Sequence, residues 1–294
     1  MRSAVITLSR PGSAIGGEDQ VGQYLVESFR RHGWDSVLFY EHESCIMQEM
    51  DFDLVLSNGA RCKTQNKNSV YWHFNERIDI MSSSVLKDLG YKFVATNSKK
   101  CMQEGPSGKF YLPLAADVSM IQAIRKQPGP NFKVAYIGNW NGYKGNKVNE
   151  WLIPLAERYN SEEFAIYGGS RWSEHPVLGS YWKGILPKEE WVNTPNISDS
   201  WICFRSPQQA DLNMTTDRPF WLAAAGVNNI VSDMPVSEEL EGFINWAESP
   251  LEALALIENP IQTCGTMGQM HVSQNHTYDQ RVKEILRQVM PHVC

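Results

Sequence analysis

The chain has 294 residues, 42% of them hydrophobic and 20% charged, with a formal net charge of −6. That length buries a sizeable core and divides most naturally into two domains of a globular protein. The negative balance excludes a chain-wide attraction to nucleic acid or anionic membrane, which leaves such roles to local basic patches.

No run approaches the ~20 apolar residues of a membrane span. Cys45, Cys62, Cys101, Cys203, Cys264 and Cys294 form neither a CxxC pair nor a zinc spacing. Together with a polar N-terminus that reads as no cleavable leader, they lead us to expect free thiols in the cytoplasm. The ten tryptophans suit flat, partly polar ligands such as sugars or bases, although core packing accounts for most of them.

Ala4 to Leu8 is a β-rich run, followed by Pro11 to Gly17 and then a helical period at Val21, Tyr24, Leu25 and Phe29. Strand, glycine turn and helix open a doubly wound domain, with Gly16 and Gly17 permitting close backbone approach to a ligand. The spacing is not GxGxxG, which argues against a dinucleotide. Glu18 and Asp19 stand where they can cap the helix. Strands are expected at 36–40, 54–56, 70–74, 91–95 and 110–112, with helices near 82–89 and 98–103. Such alternation implies a parallel sheet with right-handed crossovers.

Gln127-Pro128-Gly129-Pro130 has two prolines and no apolar period, and marks a linker. The pattern then restarts: a strand at 133–137, a turn through Gly138 and Asn139, a helix at 148–159, and a strand at 164–167 that ends in Gly168-Gly169. Further strands are expected at 201–204, 229–231 and 243–246, with a final helix at about 279–289. The expected organisation is a first lobe at 1–126, a linker at 127–132, a second lobe at 133–275 and a C-terminal helix at 276–294 packing back across the lobes. The fold class is α/β, with two Rossmann-like lobes facing across a cleft.

The stretch 213–231 is the strongest local pattern. Asp217 precedes Arg218-Pro219, so it can cap a helix whose first turn tolerates proline. Phe220 and Leu222 to Ala225 make a slim apolar face, and Gly226 stops the helix before a strand. The start of such a helix offers unpaired N–H groups and partial positive charge to a diphosphate. An ordinary αβ unit explains the same stretch.

Five motifs recur in a familiar order: Pro113-Leu114-Ala115-Ala116-Asp117, Ala135-Tyr136-Ile137-Gly138-Asn139, Ile166-Tyr167-Gly168-Gly169, Thr216 to Phe220 with Ala224-Ala225-Gly226, and His276-Thr277-Tyr278 with Arg281. In these the chain resembles the CgeB-like glycosyltransferases, a GT-B branch related to glycosyltransferase family 4. The likeness spans the second lobe; the first matches only in its strand–Gly-Gly–helix opening. It implies a nucleotide-sugar donor, UDP- or GDP-linked, held by the second lobe, an acceptor held by the first, and no further cofactor. Lys144 and Lys147 stand where relatives have basic groups on the donor phosphates, and Arg218 is a second candidate for that work. The remaining donor-side candidates are Asn139, Gly168, Asn213, Thr216 and Asp217. Relatives place a ribose-binding glutamate directly after Arg-Pro-Phe, where this chain has Trp221; some have another near the sugar, where Asn213 stands.

For catalysis the best cluster is His73-Phe74-Asn75-Glu76-Arg77, at an expected strand end. His73 could bind a sugar hydroxyl or take a proton, Glu76 could be a base, and Asp19 is a second base candidate. A capped strand and a helix cap explain these residues equally well. Asp51-Phe52-Asp53 has the DxD form of metal-dependent transferases, but it precedes a strand in a lobe of another type, so no metal site is expected. The leading reading is a metal-independent glycosyltransferase, with retention the preferred stereochemistry. Its acceptor is a glycan, lipid or protein hydroxyl, or in second place a hydroxymethylated base in DNA read by Lys63, Lys67, Lys99, Lys100 and Lys109. A non-catalytic sugar-nucleotide-binding protein and a nucleotide-sugar epimerase are the alternatives.

Overall fold

The computed structural model describes residues 1–7, 17–73, 83–103, 109–121, 132–140, 145–233 and 238–292. The chain separates into two compact units, Met1–Leu114 with Leu212–Thr215 and Thr277–Cys294, and Ala115–Asp211 with Thr216–His276. Each carries its own parallel sheet, so the two Rossmann-like α/β lobes expected from the alternating pattern are present.

In the first unit the strands are β1 (Arg2–Thr7), β2 (Asp35–Tyr40), β3 (Leu54–Asn58), β4 (Ser69–His73), β5 (Phe93–Thr96) and β6 (Lys109–Tyr111). They lie in the order β2-β1-β3-β4-β5-β6, all parallel. The helices along this part of the chain are α1 (Gly17–Arg31), α2 (Ser44–Gln48), α3 (Ser83–Leu89) and α4 (Lys99–Gln103). Central strands are buried along their whole length, as β3 and β4 are, because crossover helices cover both sheet faces.

The second unit has β7 (Phe132–Ile137), β8 (Phe164–Tyr167), β9 (Ser198–Cys203), β10 (Asn229–Asp233) and β11 (Asn245–Ala247), in the order β11-β10-β9-β7-β8. Its helices are α5 (Gly145–Arg158), α6 (Thr194–Ile197), α7 (Pro207–Asp211), α8 (Arg218–Ala225), α9 (Pro250–Glu258) and α10 (Gly265–Asn275). Both sheets share the winding in which the first strand sits between the second and the third. Ligands of such folds gather where the winding reverses, beyond the carboxyl ends of the first and third strands. In the second unit those are β7 and β9.

The last helix, α11 (Tyr278–Val289), returns to the first unit. Thr277 caps it, its side chain bonded to that of Gln280, and Tyr278 stacks on Tyr24 of α1 with ring centroids 5.4 Å apart. Buried Arg281 donates to the carbonyls of Pro113 (2.7 Å) and Leu114 (3.1 Å). Two motifs far apart in sequence are thereby joined by a structural bond.

Several local expectations change. Asp217 makes no side-chain cap: it is already helical, and its backbone carbonyl accepts from the N–H groups of Phe220 and Trp221. Gly226 does end α8, in the left-handed conformation at φ 83°, with Val227 donating back to the Leu222 carbonyl. Because α1 begins at Gly17, Asp19 lies inside its first turn and bonds side chains rather than capping. Helices α2, α9 and α10 were not expected; Gly265–Asn275 carries two glycines and no helical apolar period.

Candidate active site

The second unit presents a charged end. After β7 the chain turns at Gly138, and Asn139 accepts a hydrogen bond from the Gly169 N–H at 3.1 Å. The indole of Trp172, fully buried, donates to the Gly138 carbonyl at 2.7 Å, and that of Trp182 donates to Gly168 at 3.0 Å. Gly168 must be glycine, because a Cβ there would lie 2.1 Å from the Gly138 carbonyl oxygen. The turns after β7 and β8 are thus bolted into one rigid floor by Asn139, Trp172 and Trp182.

Around this floor stand the cations. Arg205, just past β9 and buried, sets its Nε 3.3 Å from Asp233 Oδ1, and Lys147 closes on the other oxygen of the same carboxylate. Lys147 also lies over the Trp151 ring at 5.5 Å. Arg171 covers Trp140 at 5.2 Å. Arg218, at the head of α8, holds its guanidinium 5.9 Å from the centre of the Tyr136 ring. Its Nη1 and the Tyr136 hydroxyl are both sealed from solvent, and the two side chains interact with each other. Burial pushes the Tyr136 pKa up, against the opposing pull of the Arg218 charge, so the hydroxyl stays protonated.

At the strand ends of the first unit the buried polar side chains, among the described residues, are uncharged. Thr7, Asn58, His73, Thr96 and Asn97, at or just beyond the ends of β1, β3, β4 and β5, are all buried. His73 is paired in register with Thr96, whose hydroxyl lies 3.3 Å from Nδ1, and Nε2 has no partner among the described residues. Burial lowers the His73 pKa to about 4, so the ring is neutral at physiological pH. Thr96 also accepts from the Ser98 N–H at 3.1 Å, so its hydroxyl proton is available to Nδ1, which would leave Nε2 carrying hydrogen. Asn97 donates to the Thr215 carbonyl at 3.0 Å, with Oδ1 unpartnered among the described residues. Asp19 accepts from the Tyr40 hydroxyl at 3.1 Å, at the end of β2.

Of the residues expected at a site, Gly16, Glu76 and Lys144 lie outside the described residues. Gly138, Asn139, Lys147, Gly168, Thr216, Asp217 and Arg218 belong to the second unit, whereas Gly17, Asp19 and His73 belong to the first. Asn213 also belongs to the first unit, in Leu212–Thr215, where it is exposed and adopts a left-handed φ of 51°. Lys147 is engaged by Asp233 rather than standing alone. Trp221, where a ribose-binding glutamate was expected, stacks on Trp191 at 4.8 Å and is 5% exposed. That stack makes it part of the packing beneath α8.

Residues 144–287 match the family described as glycosyl transferase-like. Those residues thus carry a glycosyl transferase-like domain, just under half of the chain. AviGT4, a glycosyltransferase involved in avilamycin A biosynthesis, superposes with a TM-score of 0.68 at 12% identity, over 99% of this chain and 98% of that one. T4 phage BGT in complex with its UDP-glucose substrate gives 0.57 at 12% identity, over 98% and 96%. The lipopolysaccharide outer core galactosyltransferase WaaB gives 0.53 at 12% identity, over 97% and 99%. No curated protein matches the sequence. At such identities the likeness is one of fold, and the fold is GT-B.

For a glycosyltransferase domain, sequence reasoning missed Arg205, Asp233 and Asn97. Arg205 lies just past β9 and Asp233 ends β10, the position where doubly wound sheets gather function, so charge at strand ends is the signal that would have found them. Asn97 carries no sequence signal, because only its unpartnered Oδ1, among the described residues, marks it. Among the described residues no three His, Cys, Asp or Glu side chains group to hold a metal, and no helix is long and apolar enough to cross a membrane. A cavity of about 600 Å³, lined by residues that include Met47, Phe52, Lys63 and Asp88, opens at the amino ends of β3 to β5. It lies at the far end of the first sheet from His73, and its size gives it no claim on the chemistry.

Proposed function

We propose that the protein transfers a sugar from a nucleoside-diphosphate donor to an acceptor hydroxyl, without a metal ion, as a CgeB-like relative of glycosyltransferase family 4. The carrying observation is Arg218: a guanidinium at a helix head, over the Tyr136 ring, with Nη1 sealed from solvent and no salt bridge among the described residues. Arginine has donors and no acceptor, so a sealed N–H of this kind is completed by an anionic oxygen. UDP is the first donor to test, because T4 phage BGT binds UDP-glucose on the same fold.

In the reaction, the acceptor oxygen bonds to the anomeric carbon as the bond to the diphosphate oxygen breaks, leaving its electron pair on the phosphate. Arg218 stabilises the charge that grows there, with Lys144 and Lys147 as further cations. Retention is the preferred course, with the hydroxyl proton passing to the departing phosphate oxygen on the same face. Inversion would instead deliver that proton to a carboxylate, Asp19 or Glu76, and the anomer of the product distinguishes the two. His73, neutral and a weak base at a pKa of about 4, suits a hydrogen bond to a sugar hydroxyl better than proton removal.

The net charge of −6 favours an acceptor hydroxyl on a glycan, lipid or protein over one in DNA. Five described cysteines are unpaired, which suits work in the cytoplasm. The test is a melting and calorimetric titration with UDP, GDP and their sugars, followed by turnover in the presence of a chelator. Binding that is lost in Arg218→Ala, with turnover unaffected by chelation, supports the proposal. No binding of any diphosphate at millimolar concentration would overturn it.

A further inference from the structure

The cavity at the amino ends of β3 to β5 has no part in the reaction above, and every residue that lines it belongs to the first unit. At about 600 Å³ it lies within the range of small-molecule sites. Buried Met47, Phe52 and Val55 give it an apolar floor.

Its walls are held by hydrogen bonds to one segment, 63–66. Gln48, the last residue of α2, donates from its side chain to the Lys63 carbonyl at 3.0 Å. The Thr64 N–H donates at 2.9 Å to the carbonyl of Leu89, the last residue of α3. Asn66 donates from its side chain to the Phe52 carbonyl. Gly90, at φ 85°, closes on the same segment so tightly that a Cβ there would lie 2.1 Å from the Thr64 carbonyl oxygen. The cavity is therefore preformed, because its walls are bonded to one another.

Three exposed charged side chains line it, Asp51, Lys63 and Asp88, and none is paired through its side chain among the described residues. Unpaired surface charges are ordinary; these three share one apolar hollow. The two carboxylates outweigh the lysine, and the carboxyl ends of α2 and α3 add partial negative charge at the same wall. Arg2, over the Phe52 ring at 5.1 Å, brings positive charge that Asp35 answers at 3.3 Å. Lys67 and Lys87 are close in sequence but do not line the cavity. Thioethers and an aromatic ring accept an organic cation together with its hydrocarbon.

We infer that this cavity is a second ligand site, separate from the donor site of the second unit, and that it takes a small organic cation: an amine or quaternary ammonium on an apolar body. The body lies on Met47, Phe52 and Val55, and Asp51 and Asp88 answer the charge. Such a site is independent of the sugar-transfer reading.

Three probes of similar shape separate charge from hydrocarbon: 2-phenylethylamine, 2-phenylethanol and 3-phenylpropionate. In calorimetric or NMR titration of the whole protein the amine should bind best and the carboxylate weakest. The alcohol should bind about fivefold more weakly than the amine, the scale of an ion pair open to solvent. Amide shifts on adding the amine should centre on 63–66 and 88–90 rather than on His73 and Thr96, and UDP should not displace it. Asp51→Asn combined with Asp88→Asn should lower the amine to the affinity of the alcohol. The ligand-free melting temperature should hold, because both side chains are exposed and unpaired. Equal binding of the three probes, an amine preference that survives the double substitution, or shifts centred elsewhere would overturn the inference. So would failure of the amine to bind at millimolar concentration.

Discussion

The two sheets are wound alike and end differently. At the carboxyl edge of the first, the buried polar side chains are Thr7, Asn58, His73, Thr96 and Asn97, none of which carries charge at neutral pH. At the corresponding edge of the second stand Arg205, Asp233, Lys147 and Arg218. A neutral end can hold hydroxyls with single donors and acceptors, but would pay heavily in desolvation to bury a phosphate. A charged end suits a leaving diphosphate, provided its own ions are matched. Under the proposed function, one architecture serves two kinds of ligand through the side chains at its strand ends.

The sharpest way to break that contrast is to unbalance the charged end. Asp233→Asn leaves buried Arg205 without its carboxylate, and should cost about 3–5 kcal/mol of stability in denaturant unfolding of the protein. A loss below 1 kcal/mol would show that solvent already screens the pair. Next in size, Arg218→Ala should lower kcat/KM by about 100-fold, roughly 3 kcal/mol, with a smaller change in stability. Loss of folding without loss of turnover per folded molecule would remove Arg218 from the donor site.

The neutral end is tested by acid. The His73 pKa is about 4 when folded against 6.5 when exposed, so the folded state holds the ring neutral. The stability this contributes is fully present above pH 6.5 and is lost as pH falls toward 4, because the unfolded chain takes up the proton first. Over that window the loss should approach ~3 kcal/mol. His73→Gln should flatten that part of the stability–pH curve; an unchanged slope would show that the ring is not buried neutral. The smallest effect is expected at Asn139, whose side-chain oxygen ties the turns after β7 and β8 at 3.1 Å. Asn139→Ala should cost about 1 kcal/mol of stability. Its effect on diphosphate affinity should be slight, since Trp172 and Trp182 still brace the same turns.

Much of the architecture was legible because strand and helix signals are local. Runs such as Val70 to His73 and Phe164 to Tyr167, and the stop at Gly226, depend on period and conformational preference within a few residues. Helix α10 was not legible, because it is held by tertiary packing against α8 and His271 stacks on Phe243 at 4.5 Å without an amphipathic stripe. Asp217 looked like a cap from its place before Arg218-Pro219; whether its side chain turns back to the helix depends on backbone geometry that the residue order leaves open.

The sequence by itself determined two doubly wound lobes, the glycine turns and the placing of Arg218 at a helix head, because these follow from local periodicity and the steric demands of single residues. It also carried the motif order that resembles CgeB-like transferases. Only the tertiary structure decided which polar groups were left without partners. Lys147 looked free and is held by Asp233; Trp221 looked like a lost ligand and is packed on Trp191; Tyr136, read only as part of a motif, lies beneath Arg218. Hydrogen-bond satisfaction is a property of neighbours distant in sequence, such as Lys147 and Asp233 or Tyr136 and Arg218, and it exists only once the chain has closed around them.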